Sequence, residues 1–163
     1  MKDEAVVFVE IPSGSRNKYE WDEDLGGIVL DRRLFTSMTY PADYGYLEGT
    51  LAEDGDPLDA LVLVADPTFP GCLVRARPLA VFWMADEKGP DAKIICAPDP
   101  DPEMERVRDI GDLPPHTLAE IKHFFTIYKD LEPGKASSTR DFEGRDAAWE
   151  EIRAAEARAN ASA

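Results

Sequence analysis

The first hundred residues are a succession of short β-branched and aromatic runs, each cut by a turn, with no helical period between them. Residues 5–11 form the first run, ended by Pro12 and Ser13-Gly14-Ser15. Residues 27–31 follow the acidic turn Asp22-Glu23-Asp24-Leu25-Gly26. Further runs cover 60–64, 72–77, 79–84 and 92–97, with Asp66-Pro67 and Pro70-Gly71 among the breaks. Six strands with no helix to carry a crossover predict antiparallel pairing, and so a barrel or sandwich.

The period then changes. Leu118, Ile121, Phe124, Phe125 and Tyr128 recur at three- and four-residue spacings, predicting an amphipathic helix over 117–131, opened by Pro114-Pro115 and stopped by Pro133-Gly134. Ala148, Ile152, Ala155 and Ala159 make one stripe of a docked terminal helix over about 145–161, and a short helical turn is expected around 103–108. A chain of 163 residues, 44% of them hydrophobic, is long and apolar enough for one domain spanning 1–163 without disulfides. The expected fold is α+β and mainly β, a small antiparallel barrel with two main helices packed against it.

Charge narrows the partners. With 18 Lys and Arg against 33 Asp and Glu, the net charge is −15, a field that repels nucleic-acid backbones and anionic lipid. No apolar run reaches the ~20 residues that span a bilayer. The opening Met-Lys-Asp-Glu does not read as a signal peptide. Cys72 and Cys96 sit in apolar stretches and read as buried free thiols of a reducing compartment, which makes the cytoplasm the expected location.

The most informative segment is Asp54-Gly55-Asp56-Pro57-Leu58-Asp59, which runs straight into a strand. Pro57 pushes Asp56 toward extended geometry, so Asp54 and Asp56 lie about 6.6 Å apart at ~3.3 Å per residue. Three acids so close repel one another unless a cation joins them, and carboxylates suit hard ions such as Mg²⁺, Mn²⁺ or Ca²⁺. An exposed acidic turn is the plain alternative. A second group strengthens the ion reading: Asp86-Glu87 and Asp91 flank a hairpin whose turn needs only Gly89-Pro90. Glu10, inside an apolar strand, and Glu20 add two more acids. Lys18, Arg32, Tyr40, Tyr44, Lys93, Tyr128 and Lys129 are interleaved with them in short polar–aromatic strings, and such groups grip phosphate oxygens. Together they describe acids that hold cations, cations that hold an anionic substrate, and bases and phenols that hold its far end. An acidic protein binds a polyanion when metal inverts the local field.

The strings Glu10-Ile11-Pro12, Lys18-Tyr19-Glu20, Asp31-Arg32, Tyr40-Pro41, Tyr44-Gly45-Tyr46, DGDPLDALVL from Asp54, Asp86-Glu87, Asp91-Ala92-Lys93 and Tyr128-Lys129-Asp130 resemble, in order, those of soluble family I inorganic pyrophosphatases, bacterial and especially actinobacterial members. The resemblance implies an OB-like barrel that hydrolyses pyrophosphate with several Mg²⁺ ions (Mn²⁺ a possible substitute) as a homo-hexamer of two trimers. It implies that Asp54, Asp59 and Asp91 hold the ions nearest the nucleophile, that Asp86 and Asp91 hold one arriving with substrate, and that Glu10 and Glu20 reach ions directly or through water. Lys18, Arg32, Tyr44, Tyr128 and Lys129 would clamp the phosphates, with Lys93 beside them and Tyr40 in support. The general base would be Asp56 or, as in some members, Asp91. The sequence departs from the family pattern after Lys135, where Ala136-Ser137-Ser138-Thr139 replaces an aromatic and apolar segment, and at Ile127, where relatives often carry a second histidine beyond the one matched by His123.

Other chemistries lack their signatures. No G-x-S-x-G, P-loop or C-x-x-C string is present, and EF-hand spacing fails at Leu58 and Met104. His116 and His123 share a helix face without a third soft ligand for zinc. Two rivals stay open at this point: a metal-dependent hydrolase of nucleotide or organic polyphosphates, and a non-catalytic OB-type binding module, whose usual basic track is at odds with the net charge.

Overall fold

Every second residue of the first strand is buried, and that alternation sets the plan of the molecule. The computed structural model describes residues 3–163; Met1 and Lys2, the start of the acidic N-terminal sequence, lie outside it. In chain order the strands are β1 (Ala5–Ile11), β2 (Asn17–Asp22), β3 (Gly27–Arg33), β4 (Asp43–Leu47), β5 (Asp59–Val62), β6 (Leu73–Asp86), β7 (Gly89–Pro90), β8 (Lys93–Pro98) and β9 (Ser137–Gly144). The helices are α1 (Pro115–Ile127) and α2 (Arg145–Ser162). β1 pairs with β4, β4 with β5, β5 with β8, β8 with β6, and β6 returns to β1, so five strands close a barrel. β7 and β9 extend β6 beyond the ring, and β2–β3 form a separate hairpin.

Expectation and structure part in several places. The ring is not wholly antiparallel: β5 and β8 run parallel, Asp59 opposite Lys93 and Leu61 opposite Ile95. A parallel pair needs a long connection, and here β6 and β7 supply it in place of a helix. The runs 72–77 and 79–84 are one strand, β6. Pro78 does not break it but marks a register shift between Pro78 and Ala80, after which β6 leaves β1 for β9. β2, β4 and β9 escaped the sequence reading because NKYEWD, DYGYL and SSTRDFEG interleave charged residues, glycine or serine with their aromatic and apolar ones. α1 ends at Ile127 with Tyr128 as its C-cap, one turn before 131, and the turn that follows swings Lys129 and Glu132 inward. Around 103–108 the chain makes successive turns, Met104 N–H to Asp101 and Val107 N–H to Met104, followed by a single 3-10 turn at Ile110–Asp112. Cys96 is buried as expected, Cys72 only partly, and both are free.

The two faces of the barrel wall do different work. Val7, Val9, Leu47, Leu58, Ala60, Val62, Ala76, Val81, Ile94 and Cys96 turn into one core, against which α2 lays Ala148, Trp149, Ile152 and Ala155. The intervening residues face outward, where Leu61, Phe82 and Ile95 pack under Ile121, Phe124 and Phe125 of α1. Asp59 and Lys93 lie on this outer face because each sits one residue from an inward side chain. The β-strand period thus places charged groups beside the α1 core, at its open edge.

Gly45 shows how closely the strands approach. Opposite Val9, an added Cβ would lie 1.9 Å from the Phe8 carbonyl oxygen, a backbone atom that cannot turn away. We expect Gly45→Ala to cost about 1–3 kcal/mol or more in urea denaturation. Gly111→Ala, with open space around it, should leave the midpoint within experimental scatter.

Candidate active site

Strand ends from β1, β4, β5, β6 and β8, the β2–β3 hairpin and the turn after α1 converge on one cavity of about 720 Å³. Its lining includes Glu10, Lys18, Glu20, Arg32, Tyr44, Asp54, Asp56, Asp59, Asp86, Asp91, Lys93, Tyr128 and Lys129, that is, every candidate residue singled out from the sequence except Tyr40. Tyr40 is buried behind the wall, its ring packed on Tyr44 and Phe124, at centroid distances of 5.4 and 4.8 Å.

Lys93 occupies the floor. Its ammonium donates to the Tyr44 hydroxyl at 2.7 Å, to Asp59 at 3.0 Å and to Asp91 at 3.1 Å, and lies 5.0 Å from the ring centres of both Tyr44 and Phe125. Burial pulls its pKa down, but Asp59, Tyr44 and Asp91 outweigh that and hold it well above the ordinary lysine value. At the mouth, Lys18 bridges Glu20 and Asp31, each at 3.1 Å. Arg32 meets Asp31 and also Glu132, Nε standing 2.9 Å from Oε1 and Nη2 donating to Oε2 at 3.2 Å. Lys129 lies 3.5 Å from Glu87 and 3.8 Å from Asp86. Asp56 sits on an exposed turn, its N–H donating to the Asp54 carboxylate at 3.0 Å.

The carboxylates are short of positive charge. The lining carries ten acids against six lysines and arginines. Burial pushes Glu10 up to about 7, although it accepts the Trp21 N–H at 2.8 Å. Burial also raises Asp91, to about 6, with Lys93 opposing and Asp59 assisting, and Asp54 is raised by burial and by neighbouring acids. Among the described residues no three His, Cys, Asp or Glu side chains stand close enough to be a ready-made ion site, for lysine ammoniums fill the gaps. The donors are nonetheless all carboxylate oxygens with an unmet demand for cations, the chemistry that hard divalent ions satisfy.

Glu132, Lys135, Glu23 and Tyr46 also line or brace the site and were not singled out from the sequence. Glu132 stands 100 residues from its partner Arg32 in an ordinary-looking turn, so no local pattern marks it. His116, by contrast, stays on the exposed face of α1, paired with Glu120 at 2.8 Å.

A closed small barrel bearing a pit lined by ten acids and six cations and floored by Lys and Tyr suits a small polyanion held through metal ions. The comparison with known proteins narrows this: residues 7–160 match the family model for inorganic pyrophosphatase. The chain is 57% identical to the inorganic pyrophosphatase of Streptomyces coelicolor over 146 residues, 90% of either chain, and 52% identical to that of Methanosarcina acetivorans over 152 residues, 93% of this chain and 90% of the other. Its fold superposes on the inorganic pyrophosphatase of Thermus thermophilus with a TM-score of 0.95 at 47% identity, covering 97% of this chain and 92% of that one. The chain belongs to the inorganic pyrophosphatase family.

Glu10 gives the metal-free protein a pH dependence. Folded Glu10 keeps its proton up to about pH 7, whereas an unfolded glutamate releases it near 4.5, so between those values the folded state binds more protons and stability falls as pH rises. Glu10→Gln, unable to ionise, is expected to lose less stability than the parent between pH 4.5 and 7.5. The gap should approach about 3 kcal/mol at the upper end, read from urea unfolding in the presence of a chelator.

Proposed function

We propose that the protein hydrolyses inorganic pyrophosphate to two orthophosphates, using divalent cations. The observation that carries this reading is the gathering of the acids, cations and phenols of the family strings into a single cavity, in a chain of that family. Family I pyrophosphatases are metal-dependent. We assign Mg²⁺ as the ion, with Mn²⁺ as a substitute, to Glu10, Glu20, Asp54, Asp59, Asp86 and Asp91. Bound there, the ions would neutralise the diphosphate and lower the pKa of an attacking water toward neutrality.

The chain's own residues do the rest. Lys18 and Arg32, at the mouth, and Lys129, buried in the wall, present cations already oriented by acid partners, so a phosphate exchanges one anion for another at little cost in side-chain ordering. Lys93, Tyr44 and Tyr128 would donate from the floor; the tyrosines stay neutral because burial raises both. Tyr40 supports Tyr44 through ring contact rather than touching substrate. Water attacks one phosphorus as the bridging P–O bond breaks, and its proton passes to a carboxylate. Asp56 is our assignment for that base, since it stands on an exposed turn at the cavity, whereas Asp91 is buried against Lys93.

The reading extends to the whole chain, 1–163, as one domain in the cytoplasm, which fits the free cysteines and the absence, among the described residues, of a helix able to cross a membrane. It extends also to a homo-hexamer of two trimers, for which exposed Leu25, Leu30, Phe69, Leu73 and Leu131 offer apolar surface to cover.

Phosphate release from pyrophosphate should require Mg²⁺, stop with chelator, and exceed release from ATP by orders of magnitude. Faster turnover of ATP would instead favour the organic polyphosphate reading. Asp59→Asn should lower kcat at least about 100-fold at saturating Mg²⁺, because a charged group beside the reacting centre is lost, and should lower the melting temperature as well, because buried Lys93 loses a carboxylate partner. Near-normal turnover would remove Asp59 from the ion site.

A further inference from the structure

The loop bearing Asp54 and Asp56 joins β4 to β5, and most of it is exposed: Glu53, Gly55, Asp56 and Pro57 face solvent. Within itself it is a tight turn, Ala52 N–H to Asp56 O at 2.7 Å and Gly55 N–H to Ala52 O at 3.1 Å, with Gly55 at φ 90°. A turn of this kind keeps its shape but not its place. Its place is set at two points. On one side Thr50, buried, donates its hydroxyl to Leu47 O at 2.6 Å and accepts the Leu58 N–H at 3.0 Å, pinning the loop to the barrel. On the other, Leu51 is tied at both of its backbone groups to α2. Its N–H donates to Ala155 O at 3.0 Å, and its carbonyl accepts from Arg158 Nη1 at 2.8 Å.

Arg158 is itself held. Nη2 lies 3.6 Å from Glu151, two turns back on the helix, and α2 is fixed to the barrel interior by Ile152 and Ala155. A charge-assisted bond from a braced guanidinium thus reaches from a helix well away from the cavity to the residue that starts the acidic turn. We propose that Arg158 is a positioning residue for the acidic loop, setting where Asp54 and Asp56 stand relative to Asp59 and Asp91. The proposal rests on the reading of Asp54, Asp59 and Asp91 as ion ligands. An ion shared between a loop and two strands is bound well only if the loop is already in place, and outer groups that orient ligands are worth about 10–100-fold in metal affinity.

The test is Mg²⁺ binding to the substrate-free protein by titration calorimetry, with hydrogen exchange read over 51–56 and over β8. For Arg158→Ala we expect Mg²⁺ affinity about 10-fold lower and exchange faster in 51–56 but unchanged in β8; Arg158→Lys, which keeps a charged donor, should restore most of both. Should Arg158→Ala fail to fold, Arg158→Met, which keeps the aliphatic stem, carries the same expectation. Parent-like Mg²⁺ affinity in the variant, or exchange rising equally across the barrel, would overturn the positioning role. The double variant Asp54→Asn, Asp59→Asn separates this from the parent reading. If it loses Mg²⁺ binding while Arg158→Ala does not, only the present inference falls; if it binds Mg²⁺ as the parent does, both fall.

Discussion

An ammonium group with almost no access to water holds the centre of this molecule together. Lys93 is 1% exposed, and its Nζ is shared among Asp59 on β5, Asp91 before β8 and Tyr44 on β4, with the Phe125 ring of α1 on one side. Taking such a charge out of water costs several kcal/mol unless partners surround it. Here two carboxylates, a phenol and two aromatic faces do so at once. The arrangement works in both directions, since Asp59 and Asp91 could not share so small a space without a cation between them. Lys93 is therefore the point at which the core under α1 becomes the floor of the cavity.

The barrel makes that junction possible through the period of its strands. Where Leu58, Ala60 and Val62 turn inward, Asp59 and Leu61 must turn outward; where Ile94 and Cys96 turn inward, Lys93 and Ile95 turn outward. The parallel pairing of β5 with β8 sets Asp59 directly opposite Lys93, an alignment that would be lost with a shift of one residue. Side chains that serve the cavity and side chains that serve the core thus come from the same short segments, and the strands can be read as apolar even though they deliver charge.

That double use explains what was legible in the sequence. The apolar runs of β1, β5 and β8 and the stripe of α2 declare themselves by period alone, as do the acids of 54–59, clustered beyond the needs of any turn. β2 and β4 do not, because Lys18 and Glu20 interrupt the one and Asp43 and Gly45 the other, residues that strands otherwise disfavour. The parallel β5–β8 pair is invisible because pairing partners are set by closure of the ring, not by either strand's composition. Glu132 and Arg158 are hidden for another reason: each acts on a single distant segment, and a lone Glu or Arg in a polar stretch carries no pattern. Tyr40 shows the converse, a residue whose string suggests the site while the fold keeps it one layer behind.

Charge at the scale of the whole chain completes the picture. A net −15 surface repels a free diphosphate at the distances where encounter begins, within roughly a Debye length of ~8 Å. Inside the mouth the sign is locally mixed, with Lys18, Arg32 and Lys129 each beside a carboxylate, so the cavity's pull on an anion is short in range. Under the proposed function, a substrate already partly neutralised by a divalent ion crosses that outer field at far smaller cost than the bare anion. The same surplus of carboxylates within then has a use for the incoming cation. The acidity that tells against polyanion binding in the composition selects, at the site, for a polyanion that brings positive charge with it.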